Sequence, residues 1–365
     1  MVLKAVFPGK YIQGEGVLSE LAGWVRFLGK KGLIIASRSA KEKVLIRRAA
    51  ELKAGAITAE QFSGECCEKE LNRVADLIAV GKADVIIGMG GGKTIDTAKI
   101  AADRAGLPVI VVPTIASTDA PCSGCAVVYT QAGEFDSVLY QKMNPQIVLV
   151  DTKVIADAPA RFLISGMGDA MATWFEARSC NRTQSENACG GLSTMAGLHL
   201  ARLCYDTLLQ YGEAAKIAVE RHLVTPALGH IIEANILLSG LGFESGGLGA
   251  AHSVHNGLTA LPETHSFYHG EKVAFGVLTG LALADASCEE TRTVYAFCEA
   301  VGLPTTLADI GIADIDRDKM MAVAQKACAP GECIHHEAGE ITPEKVLNAL
   351  LAANALGEER KKNRA

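Results

Sequence analysis

Histidines give the first chemical lead. Four of the nine fall between His252 and His269. The string Gly249-Ala-Ala-His252-Ser-Val-His255-Asn256-Gly sets two of them three apart, hence on one face of a helix. His265-Ser-Phe-Tyr-His269-Gly270-Glu271 adds two more. A neutral imidazole is the commonest transition-metal ligand, and the small neighbours leave room for an ion. Upstream, Gly166-Met-Gly168-Asp169-Ala offers a carboxylate near an expected helix start. Each signal has a plainer reading: a single His is more often structural, and the helix dipole favours Asp in a first turn. Taken together, two His and one carboxylate leave the open coordination position that a catalytic zinc needs. His335-His336 lies in a polar stretch and is expected at the surface.

A second lead is the string Asp84-Val-Ile-Ile-Gly88-Met-Gly-Gly-Gly92-Lys93-Thr-Ile-Asp96. A buried strand runs into glycines, and a helix is expected to start near Thr94. Missing side chains let backbone N–H groups come close to phosphate, while the helix end and Lys93 add positive charge. The spacing fits neither the P-loop, because Gly88 and Gly92 enclose three residues instead of four, nor GxGxxG, because Lys93 stands where its last Gly belongs. The competing reading is a tight turn that needs φ > 0. The loop Pro113-Thr114-Ile-Ala-Ser117-Thr118-Asp119-Ala-Pro121 follows the next strand. Its hydroxyls suit ribose or an amide, and Asp119 suits a substrate hydroxyl; ordinary turn chemistry explains the same residues.

These residues must be carried on something. Apolar, β-branched runs at Gly32 to Ala36, Asp84 to Ile87, Pro108 to Val112 and Gln146 to Val150 read as buried parallel strands. Helical stretches at Lys41 to Leu52, Glu68 to Gly81 and Thr94 to Ala105 lie between them. The alternation predicts an α/β dinucleotide-binding domain over 1–160, with a doubly wound, mostly parallel sheet. Over 161–365 helical period dominates, broken at Gly and Pro, which predicts an all-α domain. The ligand cleft is expected between the two.

Composition narrows the field. The 365 residues carry 35 Lys and Arg against 41 Asp and Glu, a net charge of -6, with no basic stripe, so nucleic acid and anionic membrane are not expected partners. The basic residues from Arg360 to Arg364 read as a solvated end. Eleven Cys in a long chain without an evident leader predict a cytoplasmic protein with reduced thiols. Cys122-Ser-Gly-Cys125 has redox spacing but stands alone.

The same residues recur within longer strings: Pro8-Gly-Lys-Tyr-Ile-Gln-Gly14, Gly90-Gly-Gly-Lys-Thr-Ile-Asp-Thr-Ala-Lys99, Pro113 to Pro121, Gly168-Asp-Ala, Trp174-Phe-Glu-Ala-Arg178, Gly242-Phe-Glu-Ser-Gly-Gly247 and His269-Gly-Glu-Lys-Val-Ala-Phe-Gly276. Through them the chain resembles, nearly end to end, the glycerol dehydrogenase branch of the iron-containing (group III) alcohol dehydrogenase superfamily. The resemblance implies a metal- and substrate-binding helical domain, with the active site in the cleft. It carries metal ligation to Asp169, His252 and His269, and catalytic roles to these and to Asp119. Cofactor contacts fall on Gly90, Gly91, Gly92, Lys93, Asp96, Thr114, Ser117, Ser123, Cys125 and Tyr129. Substrate contacts fall on Asp119 and His252. His255 lies in a matching motif but outside the ligand set, and is a candidate proton shuttle.

The implied reaction is oxidation of glycerol or a related vicinal diol to a hydroxyketone such as dihydroxyacetone, with hydride passing to NAD+. Zn2+ is the expected metal, with Fe2+ or Mn2+ as alternatives. The implied partner is a small polyol, and the implied assembly a homo-oligomer, octamers included. Two departures stand out. Relatives usually carry an Asp for the adenine ribose after the strand ending Ile35-Ala36, where this chain has Ser37-Arg38, so NADP becomes an alternative cofactor. Cys125 replaces a larger aliphatic residue. The rival readings are a glycerol-1-phosphate dehydrogenase, a lyase similar to dehydroquinate synthase, and a non-catalytic nucleotide-binding protein.

Overall fold

Short β-branched runs fill the middle of a sheet because both of their faces are covered. The computed structural model describes residues 2–363. Its main sheet has six strands: β1 (Tyr11–Gly14), β2 (Gly32–Ala36), β3 (Ile57–Gln61), β4 (Val85–Gly90), β5 (Val109–Pro113) and β8 (Ile147–Asp151). They run in the order β1-β8-β5-β4-β2-β3, and every pairing is parallel. Each residue of β2, β4, β5 and β8 is buried. Full burial of a side chain such as Ile34 or Ile110 contributes about 1.5–3 kcal/mol. The two edge strands, β1 and β3, are less buried and carry no such run, which is why sequence pattern missed them.

Helix α1 (Leu21–Leu28) buries Leu21 and Val25 in one core with Ile34, Val85, Ile87 and Leu149. A smaller cluster joins α2 (Glu68–Gly81) and α3 (Gly92–Ala105), through Leu71 and Ile100, to Ala126 and Val128. The latter two lie on an antiparallel hairpin, β6 (Cys125–Tyr129) and β7 (Phe135–Tyr140), which sequence reading also missed. The stretch from Lys41 to Leu52 is broken into a short helix, a 3-10 turn and a second short helix.

The chain divides into two compact units. The sheet unit comprises Phe7–Phe162 with Ala218–Gly240, and the helical unit Met1–Val6, Leu163–Ile217 and Leu241–Ala365. The helical unit includes α4 (Ala160–Thr183, from Leu163 on), α5 (Ala250–Leu258), α6 (His269–Leu283) and α7 (Pro343–Lys362). Two surface expectations are corrected here. His336 is half-buried, its Nδ1 2.8 Å from the Leu248 carbonyl, while His335 is exposed. Arg360 is not a loose end: α7 brings it onto the buried carboxylate of Glu299 with two contacts of 2.8 Å. Arg364 lies outside the described residues. No described helix is long and apolar enough to cross a membrane.

Candidate metal centre and glycine loop

Asp169 does not begin a helix. It sits inside α4, which runs straight through Gly166 and Gly168. These glycines serve close packing. A Cβ on Gly168 would collide with the Gly270 carbonyl, and one on Gly270 with the Ser165 carbonyl. The bare backbones of α4 and α6 therefore touch where the next residue on one helix is Asp169 and the preceding residue on the other is His269. Helix α5 supplies His252. Asp169 Oδ1 lies 3.1 Å from His269 Nε2 and 3.4 Å from His252 Nε2. One ligand atom from each of the three lies within 4.8 Å of the others.

The electrostatics call for a cation at this point. Asp169 and Glu176 are each only 1% exposed. Burial works to raise the Asp169 carboxyl, but the imidazoles of His269 and His252 prevail and hold it well below the usual carboxylate range. Burial likewise disfavours charge on His252, yet Glu176 and Asp169 hold its imidazolium well above the ordinary histidine range. A divalent cation would meet the same demand with both rings neutral, and two nitrogens and a carboxylate oxygen suit a transition metal. The donor set therefore fits a metal.

In the sheet unit, the glycine loop ends β4 at the point where the sheet reverses its winding. From β2 the chain moves out to β3, whereas from β4 it moves the other way to β5. Ligands of open α/β sheets bind beyond the carboxyl ends of strands at such a switch point. Gly88, Gly90, Gly91 and Gly92 are absent from the positive-φ residues, so the turn explanation fails. Close approach is the reason: a Cβ on Gly90 would stand 2.9 Å from the Thr94 side chain and 3.0 Å from Ser37 Cβ. Helix α3 starts at Gly92, two residues before Thr94, so the approach to its N-terminus, Gly90 to Gly92, carries no side chains. Lys93 reaches Glu65 Oε2 at 2.6 Å and lies 4.5 Å above the Tyr129 ring. The Thr114 N–H donates to the Gly90 carbonyl at 3.0 Å, tying the second loop to the first.

The family model for iron-containing alcohol dehydrogenase matches residues 8–152. A glycerol dehydrogenase from Thermotoga maritima is 49% identical over 362 residues, covering 99% of both chains. This chain belongs to the iron-containing alcohol dehydrogenase family. A glycerol dehydrogenase from Pseudomonas putida is 51% identical over 96% of this chain and 97% of its own length. A solved structure, that of a probable glycerol dehydrogenase from Sinorhizobium meliloti, superposes with a TM-score of 0.93 at 45% identity, covering 98% of this chain and 100% of that one.

Several residues that shape these sites in this iron-containing alcohol dehydrogenase had no role assigned from sequence. Lys99 is buried, and its Nζ donates to the carbonyls of Ala120, Ser123 and Cys125 while standing 3.2 Å from Asp96 Oδ1. The other Asp96 oxygen accepts the Val127 N–H at 3.1 Å. Asp96, Ser123 and Cys125 are thus gathered around one buried ammonium that folds the turn into β6; burial pushes the Asp96 carboxyl up against the pull of Lys99. Cys122 is a buried thiol and Cys125 a half-buried one. Asp119 accepts the Ser239 hydroxyl at 2.8 Å, and Asn235 donates to the Ala116 carbonyl at 3.0 Å. A π-helical turn, Ala234–Leu238, lies where these two side chains meet the loop of Ser117 and Asp119. Such turns are rare and recur at functional sites. Glu176 lay in a quoted motif without an assigned role; its two oxygens both reach His252.

Proposed function

We propose that this chain is a metal-dependent oxidoreductase that converts glycerol, or a closely related vicinal diol, to the hydroxyketone with NAD+ as acceptor. The observation that carries the reading is the convergence of Asp169, His252 and His269, each from a different helix, within 4.8 Å. Identity of about half over nearly the full length to proteins named glycerol dehydrogenase supports the substrate class over the phosphorylated substrates and the non-catalytic role considered above.

In this reading Asp169, His252 and His269 would hold a divalent cation against which the substrate hydroxyl binds. The cation supplies Lewis-acid charge that lowers the pKa of an alcohol, and NAD+ supplies the hydride acceptor. Gly90, Gly91 and Gly92 with Lys93 hold the pyrophosphate at the first turn of α3. Thr114, Ser117 and Tyr129 contact the rest of the cofactor. Asp96, Ser123 and Cys125 shape that cradle through Lys99. Asp119, steadied by Ser239, binds a second substrate hydroxyl and so selects diols. Zn2+ is the proposed metal, since two imidazoles and a carboxylate with one open position match its catalytic sites. The enzyme is proposed to work in the cytoplasm as a homo-oligomer.

The deciding experiment strips the enzyme of metal, reloads it with Zn2+, Fe2+ or Mn2+, and assays a polyol panel with NAD+ and NADP+. Metal-dependent NADH formation from glycerol is expected. Asp169→Asn should abolish turnover and keep nucleotide binding; full turnover by that variant without metal would refute the reading.

A further inference from the structure

His269 is backed by a chain of partners that no ligand role requires. Its Nε2 faces Asp169 Oδ1 at 3.1 Å, while its Nδ1 lies 3.1 Å from His255 Nε2. His255 Nδ1 lies 3.1 Å from Asn256 Oδ1. The Asn256 amide donates to both oxygens of Glu332, at 3.2 and 3.1 Å. The two rings stand edge to face, 4.3 Å apart at 67°.

The hydrogen-bonding roles of these groups leave one arrangement. A carboxylate only accepts, so Asn256 must turn its NH2 to Glu332 and its carbonyl oxygen to His255. His255 Nδ1 must then donate. In a neutral ring that makes His255 Nε2 an acceptor, so His269 donates from Nδ1. The lone pair of His269 is thereby fixed on Nε2, the nitrogen turned toward Asp169. Both nitrogens of His255 are spent on this chain, which argues against its serving as a proton shuttle to substrate.

We propose that His255, with Asn256 and Glu332 behind it, is the positioning residue that sets the ring and tautomer of His269 for metal binding. This rests on the metal reading above. Outer partners of this kind govern ligand orientation and basicity. The two rings are served differently: His252 bonds Glu176 directly at 2.7 Å, whereas the charge of Glu332 reaches His269 only through two neutral groups. His252 is then the stronger donor of the two.

The test is Zn2+ titration of metal-stripped full-length protein against a chromophoric chelator, with the d–d spectrum of the Co2+-loaded form as second readout. His255→Leu keeps bulk but removes the acceptor, and its Zn2+ affinity should fall on the order of 10–100-fold. Gln places an acceptor close to where Nε2 stood, so His255→Gln should restore near wild-type affinity and spectrum. Asn256→Leu should fall between them. Wild-type affinity in His255→Leu overturns the proposal, as does a His255→Gln protein as weak as His255→Leu, because packing would then be the cause. If His255→Leu does not fold, Asn256→Leu and Glu332→Leu carry the test, and unchanged affinity in both overturns it. An Asp169→Asn protein that binds Zn2+ as tightly as wild type would bring down the metal centre itself, a separate and recognisable result.

Discussion

Glu176 holds His252 at two points: Oε1 accepts the His252 backbone N–H at 2.9 Å, and Oε2 lies 2.7 Å from the ring Nδ1. A single buried carboxylate on α4 thus fixes both the start of α5 and the ring that α5 presents. In the neutral ring that a bound cation would require, Nδ1 donates to Glu176 and Nε2 keeps its lone pair turned toward Asp169. Glu176→Gln should weaken divalent-metal affinity on the order of 10–100-fold, measured by chelator competition, with nucleotide binding unchanged. Unaltered affinity would remove Glu176 from the site.

The glycine contact between α4 and α6 should be equally exacting. Gly270→Ala drives a methyl into the Ser165 carbonyl, and relief requires the two helices to separate. We expect a loss of about 1–3 kcal/mol or more in denaturant unfolding, as for other overpacked contacts, together with loss of metal binding. Stability that falls with metal affinity intact would show that the Asp169–His269 approach does not depend on this contact.

Asn235 should matter to the loop of Ser117 and Asp119. Asn235→Ala leaves the Ala116 carbonyl without its amide donor, at a cost of about 1–3 kcal/mol if no water replaces it. The expected phenotype is a raised KM for the diol with metal content unchanged. A variant with wild-type KM would detach this segment from substrate binding.

The proposed reading places the choice between NAD+ and NADP+ at the end of β2. Ser37 and Arg38 follow it directly beside the glycine loop, the Ser37 N–H donating to the Met89 carbonyl at 2.9 Å. The Arg38 guanidinium makes an exposed pair with Glu42 at 2.9 Å, a weak restraint that leaves it able to meet a 2′-phosphate. Ser37→Asp should be tolerated structurally, because Ser37 caps a helix and Asp caps as well. The substitution should cut the NADP+ to NAD+ ratio of kcat/KM on the order of tenfold, about 1.4 kcal/mol. An unchanged ratio would show that this turn does not read the ribose.

Acid stability offers a check away from the site. Glu70 is 2% exposed; burial works to raise its carboxyl, but Arg73 and the Ser63 N–H lower it overall. Because its folded pKa lies below the unfolded one, its contribution is present above the ordinary glutamate range. That contribution is lost as pH falls through the depressed value. Glu70→Gln should therefore destabilise the protein near neutral pH and flatten the fall in unfolding free energy below about pH 4.

Sequence alone carried the chemistry and the interior of the sheet. Its β-branched runs read as strands buried on both faces in a parallel sheet, and the glycines at the end of β4 leave the entry to the next helix open for phosphate. Two His three apart on one helix share a face by periodicity. The resemblance named Asp169, His252 and His269 together, and the fold brings them to one place.

What tertiary structure decided are the features that require distant residues to meet. Edge strands β1 and β3 have no apolar run because neither is fully buried: β1 is half-buried throughout and β3 partly exposed. Gly166 and Gly168 looked like a helix break, since sequence cannot distinguish a glycine that ends a helix from one that lets another backbone in. Lys99 and Glu176 lie in the recurring strings without an assigned role, and Asn235 and Ser239 lie in none of them. Each acquires a role only when folding buries its polar group, which must then find a partner, here a carbonyl, a carboxylate or an imidazole far away along the chain.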